Sequence, residues 1–297
     1  MRTVYLGTSE FAAEVLERLA DSPHRPALVV TRPDRPAGRG RRLSSPPVVR
    51  SAQTLGLDVF QPDDVNEDGA RARIAAIAPD VVVVCAFGAL IRSDLLAAHD
   101  MLNVHPSLLP RWRGAAPIER AMMAGDAETG VAIMRVTAGL DSGPVCLVER
   151  EAIRSDDTFG TLSARLAALG GALLVRALDK RPGFEEQDES AVTYAEKISA
   201  EDRVLDPVAQ SAAQLARTVR ALTPHIGARL ALPDGSGHLG VWGAQLAAPV
   251  AHQPGWLGHE GGRLVLSTVD GALDLTQVQP PGKRAMPAAD YLRGHSL

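Results

Sequence analysis

The sequence is short of several things, and each shortage excludes something. Only two of the 297 residues are cysteine, Cys85 and Cys146, and neither has a CxxC neighbour. Two thiols make no disulfide framework, which points to a reducing compartment. No excess of basic charge exists: the formal net charge is -4, so no global field draws in nucleic acid, and any such contact must come from a local patch. HExxH and paired-cysteine spacings are missing and the histidines are scattered, so no metal is expected. His24, His99, His238 and His252 read as solvated loop residues. Gly7-Thr8-Ser9 follows the first strand without opening a GxGxxG, so the dinucleotide fingerprint of a Rossmann oxidoreductase is missing from the place where it would act. The longest apolar run, "VVVVCAFGALI" at 81–91, is too short to span a bilayer. The first twenty residues carry charges throughout, without the apolar centre of a signal peptide. The composition is 45% hydrophobic and 22% charged. That is globular, with length for one large domain or two ordinary ones, and the expectation is a soluble cytoplasmic protein.

Short apolar runs alternate with helix patterns through the first two-thirds. "TVYLG" reads as a strand, after which Ser9 can cap a helix with Phe11, Val15, Leu16 and Leu19 on one face. "ALVVT", "DVFQP", "DVVVVCAF" and "MLNVH" are further strands, and "PPVVRSAQTLG" and "SDLLAAH" are helices. The β-branched run at 80–87 suits a central parallel strand covered on both faces. Strand–helix alternation predicts a doubly wound, Rossmann-like α/β domain with a mostly parallel sheet. "TGVAIMRV" (129–136) and "PVCLVE" (144–149) stand too close for a helix crossover and suit a hairpin or sharp bend. A long helix pattern covers 158–179. The charged, weakly periodic stretch that follows is expected to be a linker. Asp206 and Pro207 then offer a helix start, with Val208, Ala212, Leu215, Val219 and Leu222 on one face. Regular short strands over 228–282 predict a small C-terminal β-barrel, OB-like. Few aromatics and only scattered basic residues fall in that segment, so a general single-strand-binding module is poorly supported.

The stretch "LNVHPSLLPRWRG" (102–114) carries the chemistry. Strand alternation sends Leu102 and Val104 one way, Asn103 and His105 the other. Pro106 ends the pairing. The amide and the imidazole therefore share one face at a carboxyl end of the sheet, where open α/β sheets bind ligands. Such a pair suits a reaction at a carbonyl, with Asn holding an oxyanion and His moving a proton or donating to the same oxygen. Equally, both could be satisfied polar residues tying down a loop. "TAGLDSGPV" (137–145) supplies Asp141 as a third group to hold the imidazole, although Asp-Ser-Gly is also an ordinary turn. Trp112 between Arg111 and Arg113 reads as a packed ring with two solvated arginines, or as a ligand contact. "TRPDRPAGRGRRL" (31–43) holds five Arg against one Asp, a local +4 that invites phosphate or simply forms a solvated loop.

"NVHPSLLPRWRGAAPIERAMMAGDAETGV" with "GLDSGPV" resembles the signature of the folate-dependent formyltransferases. The resemblance extends through "GTSEFAAEVL", "TRPDRPAGRGRRLSSPPV", "VFQPDDV", "VTYAEKISAED" and "QPPGKRAM", nearly end to end. It is closest to the branch whose acceptor is initiator methionyl-tRNA. The resemblance implies Asn103, His105 and Asp141 as the catalytic set. It also implies a 10-formyltetrahydrofolate site along Phe87, Gly88, Ser107, Leu108, Leu109 and Pro110. Arg39, Arg41 and Arg42 would grip the tRNA acceptor end. The implied organisation is a formyltransferase catalytic domain over 1–187, a linker at 188–205 and a tRNA-binding barrel over 206–297. Neither a metal, a membrane nor an obligate protein partner is implied. One departure is His225-Ile226 in "RALTPHIGARL", where the family often has an aromatic. The rival is a formyltransferase for a small amine, such as an amino-sugar nucleotide or glycinamide ribonucleotide. It would share the three catalytic residues without needing the basic loop or the barrel.

Overall fold

A computed structural model describes residues 1–37, 42–232, 235 and 237–294. The chain opens with β1 (Thr3–Gly7) and α1 (Glu10–Ala20). Ser9 caps α1 by accepting from the Ala12 amide, and Phe11, Val15, Leu16 and Leu19 are buried as their spacing requires. Next come β2 (Pro26–Val30), β3 (Arg35–Ala37), β4 (Arg42–Ser44), α2 (Pro47–Thr54) and β5 (Val59–Phe60). α3 (Asp68–Ala76), β6 (Val81–Cys85), α4 (Ser93–Ala98) and β7 (Met101–His105) complete the alternating part. Across the basic stretch 31–43, β3 and β4 pair antiparallel, Pro36 opposite Leu43.

After β8 (Arg113–Gly114) and α5 (Pro117–Ala124) come β9 (Glu128–Arg135) and β10 (Val145–Ala152), antiparallel as expected. The main sheet runs β10-β9-β7-β6-β1-β2-β5. β5, β2, β1, β6 and β7 are parallel, and β9 joins β7 in the opposite sense. All five residues of β6 are buried between β1 and β7. The chain builds outward from β1 through β2 and β5, then returns to β6 on the other side of β1. That reversal is the topological switch point, and the crevice outside it is where such sheets take ligands.

α6 (Phe159–Lys180) is, among the described residues, one helix long and apolar enough to cross a membrane by length and composition. Its Leu162, Leu166, Leu173, Leu174 and Leu178 are buried within the protein, which makes this the apolar face of a core helix. Beyond it lie β11 (Tyr194–Ala195), β12 (Val204–Leu205), α7 (Ala212–Leu222), β13 (Ala228–Ala231) and β14 (His238–Ala247). The last elements are β15 (Leu257–Glu260), β16 (Arg263–Ser267), β17 (Ala272–Gln279), β18 (Met286–Pro287) and α8 (Ala288–Gly294).

Contacts divide the chain into two compact units. The first holds Met1–Gly114, Glu128–Ala152 and Ser163–Tyr194; the second holds Ala115–Ala127, Ile153–Leu162 and Ala195–Leu297. Two segments from within 1–187 thus pack with the later residues. In the second unit the sheet order is β12-β13-β14-β17-β16-β15, with β18 also on β17. Leu215 and Val219 of α7 pack on Leu230, Val241, Leu266 and Leu275. Register shifts on either side of Gly243 bend the β14–β17 pair, so the sheet is curled.

Three expectations are corrected. The helix expected from Asp206 begins at Ser211, whose side chain and that of Gln214 form a reciprocal capping box. Asp206 instead turns the chain by accepting from Val208 N, and Val208 is exposed rather than on the buried face. His24 is not a solvated loop residue: it is buried, with Nε2 2.8 Å from Asp179 Oδ1. The stretch expected as a linker is held by ion pairs, among them Arg120 with Asp202 at 2.8 Å. The atypical His225 stacks on Phe159 with centroids 3.7 Å apart, and its Nε2 lies 3.0 Å from Glu119 Oε1.

Candidate active site

β7 brings Asn103 and His105 to the carboxyl edge of the sheet, with Asn103 opposite Val84 on β6 and Met134 on β9. The loop between β9 and β10 returns Asp141 to the same place. Asn103 Nδ2 lies 3.4 Å from Asp141 Oδ1, and His105 Nδ1 lies 3.6 Å from Asp141 Oδ2. The three residues expected to act together are thus adjacent, with His105 buried and Asp141 largely so.

The imidazole is oriented by a group that the sequence did not suggest. His105 Nε2 is 2.9 Å from the carbonyl oxygen of Trp112. A carbonyl only accepts, so Nε2 carries the hydrogen and Nδ1 is the ring atom facing the carboxylate. The 3.6 Å gap to Asp141 is beyond hydrogen-bond reach, so Asp141 acts on the ring as a nearby charge. Its Oδ2 instead accepts from Gly114 N at 2.9 Å. Gly114 has φ +126, which only glycine adopts freely.

Backbone strain collects at this edge. Ala86, Trp112 and Asp141 have φ of +43°, +64° and +45°, where L side chains are rare. Side chains distant in sequence hold the last two there. Trp112 N donates to Thr193 Oγ1 at 2.9 Å. Gln187 Nε2 donates to the carbonyls of Asp141 and Gly143 at 2.8 and 2.7 Å. A Cβ on Gly143 would lie 1.9 Å from the Arg135 carbonyl oxygen, so the turn admits nothing larger there.

Arg113 departs from the reading of two solvated arginines. It is 2% exposed, and its Nη1 and Nη2 donate to Glu189 at 3.2 and 2.7 Å, while Nε donates to Gln187 Oε1 at 3.0 Å. The Arg113 guanidinium holds the Glu189 carboxyl below its usual range. Arg111 lies over the Trp112 ring, 4.4 Å from its centroid. Sequence periodicity could not reveal Gln187, Glu189 or Thr193, because polar bonds rather than apolar spacing place them.

The expected folate residues offer unequal surfaces. Phe87 packs its ring into the core, and its carbonyl accepts from Thr8 Oγ1 at 2.7 Å, joining the loops after β1 and β6 at the switch point. Gly88 beside it is exposed. Ser107 is buried and donates to the Arg111 carbonyl at 2.6 Å, so it shapes the loop. Leu108, Leu109 and Pro110 are half-buried. Leu90, two residues past Gly88, and Leu140, beside Asp141 in the chain, are large apolar side chains that stand exposed. Arg39 and Arg41 lie outside the described residues, as does the side chain of Arg42, whose backbone pairs with Ala37.

Neither thiol is a nucleophile candidate: burial pushes Cys85 up to about 12 and also raises Cys146. Among the described residues no group of three or more His, Cys, Asp or Glu could hold a metal ion. A cavity of about 340 Å³ lies at the opposite end of the same strands, lined by Asp80, Asp100, Arg135 and Phe184 among others. Asn103, His105 and Asp141 do not line it.

An amide and an imidazole facing a carboxylate at a strand end can manage a tetrahedral oxyanion and a proton. The family model that the sequence matches is that of the formyl transferases. It covers residues 1–178, and that of the formyl transferase C-terminal domain covers 197–296. The methionyl-tRNA formyltransferase of Dechloromonas aromatica is 43% identical over all of this chain and 97% of its own length. That of Methylococcus capsulatus is 44% identical over all of this chain and 98% of its own. The chain belongs to the methionyl-tRNA formyltransferase family. In fold it is similar to HypX from Aquifex aeolicus, solved in complex with tetrahydrofolic acid, with a TM-score of 0.66 at 17% identity. The match covers 98% of this chain and 47% of HypX.

Proposed function

We propose that this chain transfers the formyl group of 10-formyltetrahydrofolate to the free α-amine of initiator methionyl-tRNA, giving N-formylmethionyl-tRNA for translation initiation in the cytoplasm. The observation that carries the reading is the convergence of Asn103, His105 and Asp141 at the carboxyl end of β7. The α-amine attacks the formyl carbon and a new C–N bond forms. The carbonyl electrons move onto oxygen, giving a tetrahedral oxyanion. Asn103 Nδ2 has two hydrogens; one faces Asp141 at 3.4 Å, and the other is available to that oxyanion. One donor of this kind contributes about 3 kcal/mol to lowering the barrier.

The Trp112 carbonyl occupies His105 Nε2, so the proton lost from the attacking nitrogen is assigned to Nδ1. Asp141 beside it stabilises the imidazolium that forms. The oxyanion collapses, the bond from the formyl carbon to folate N10 breaks, and the tetrahydrofolate amine takes up a proton. No step needs a metal. The folate lies in the switch-point crevice against Gly88 and Leu108–Pro110, with Leu90 and Leu140 available to cover a flat ring. The curled second sheet, OB-like in this reading, serves tRNA together with the arginine-rich loop at 31–43.

The test is transfer of labelled formyl from 10-formyltetrahydrofolate to charged initiator tRNA, run beside glycinamide ribonucleotide and an amino-sugar nucleotide. Preferred transfer to a small amine would overturn the reading. The tRNA acceptor is favoured because relatives at 43 and 44% identity over the whole chain carry that acceptor in their names.

A further inference from the structure

Gln187 links two parts of the candidate site without reaching into it. Its Nε2 donates to the main-chain carbonyls of Asp141 and Gly143, while its Oε1 accepts from Arg113 Nε. The amide can point only one way. Reversed, it would set its own oxygen against two carbonyls and its NH₂ against a guanidinium. Arg113 is itself fixed by burial and by its two-point grip on Glu189.

Asp141 sits at φ +45°, a sparsely populated conformation that aspartate tolerates better than most side chains, and the two bonds from Gln187 fix the main chain on either side of Ser142 in that turn. Three consecutive residues consequently hold the site at three points. The Trp112 carbonyl holds His105, Arg113 holds Gln187, and Gly114 N holds the Asp141 carboxylate. Gln187 is the side chain that couples this segment to the main chain of Asp141.

We propose that Gln187 is a positioning residue for formyl transfer, setting the Asp141 carboxylate against the imidazole edge of His105. The inference rests on the reading of Asn103, His105 and Asp141 as the catalytic group.

Gln187→Met keeps the side-chain length and removes all three hydrogen bonds. Its kcat is expected to fall about 10- to 100-fold, as for a displaced reacting group, with KM for methionyl-tRNA and for 10-formyltetrahydrofolate near wild type. Gln187→Glu gives a second readout. Ionised, it still accepts from Arg113 but opposes the two carbonyls; protonated, it can donate to one of them. Its activity relative to wild type should therefore rise as pH falls, while the Gln187→Met ratio stays flat. A merely structural Gln187 would lower the melting temperature and leave kcat of the folded enzyme unchanged in both variants, which overturns the proposal. If Gln187→Met does not fold, Gln187→Glu decides alone, and a ratio flat with pH overturns it. His105→Ala is measured alongside. An active His105→Ala variant overturns the site reading and this inference together. An inactive one beside wild-type-like Gln187 variants overturns this inference only.

Discussion

His105 Nε2 stands 2.9 Å from the Trp112 carbonyl, while its Nδ1 faces Asp141 across 3.6 Å. The ring is thus held by main chain on one edge and left with one working nitrogen on the other. His105→Ala should lower single-turnover formyl transfer by about 10²–10⁴-fold. Asn103→Ala should lower it by about 10²–10³-fold. His105 ends β7 and is buried, while Asn103 lies mid-strand between Val84 and Met134, so the loss is read as kcat of the folded variant, with thermal unfolding measured alongside. Near-normal turnover in either variant would return that residue to the role of a loop tie.

Asp141→Asn separates charge from shape. Asparagine tolerates the left-handed backbone found at this position and can still accept from Gly114 N. The loop should therefore stay in place while the imidazolium loses its counter-charge. A fall in kcat of at least about 10²-fold is expected, with unfolding close to wild type. Unchanged turnover and an unchanged pH–rate profile would leave Asp141 as a turn residue only.

The arginine-rich loop makes a prediction about salt. If Arg39, Arg41 and Arg42 each meet a phosphate, the triple alanine variant should flatten the dependence of log affinity for methionyl-tRNA on log salt. The loss should be about one unit of slope, or slightly less, per contact. Folate binding should not change. Superimposable salt curves for variant and wild type would mean that the loop does not touch the tRNA backbone.

Asp202 links stability to acid. Both its oxygens accept from Arg120 at 2.8 Å, and that contact lowers its carboxyl from 3.8 to about 2. A carboxyl depressed by folding stabilises the protein at pH values above its unfolded value, and that stabilisation fades as pH falls through the folded one. Asp202→Asn should therefore cost about 2 kcal/mol at neutral pH. Its difference from wild type in urea unfolding should shrink between pH 4 and pH 2. A constant difference across that range would mean that the Arg120 contact is not what sets stability there.

These sites differ in how far the sequence could disclose them. Alternation in "MLNVH" put Asn103 and His105 on one face and Pro106 fixed where the strand stops; both are local rules, and the strand behaves as they require. The conformation of Trp112 and Asp141 is not a local matter. Their positive φ angles are imposed by Thr193 and Gln187, which lie 81 and 46 residues further on. Segment 181–205 looked like a linker because it lacks apolar periodicity. It is nevertheless ordered by Gln187, Glu189 and Asp202, whose polar bonds carry no periodic signature. The helix start was misplaced for a related reason: Asp206-Pro207 and Ser211-x-x-Gln214 are both start signals, and only the second closes into a reciprocal pair.

The division of the chain into compact units has a consequence for modularity. The polypeptide crosses between them at residues 114/115, 127/128, 152/153, 162/163 and 194/195. A single cut between the two matched sequence regions, anywhere from 179 to 196, yields no self-sufficient halves. The upstream fragment would carry Met123 of α5 away from the Leu215 and Val219 core it packs against. The downstream fragment would lose Phe159 from beside His225. Two boundaries that look separable along the sequence are therefore not a cassette joint. Fusions, permutations or transfers of this protein must carry the whole chain as their smallest heritable part.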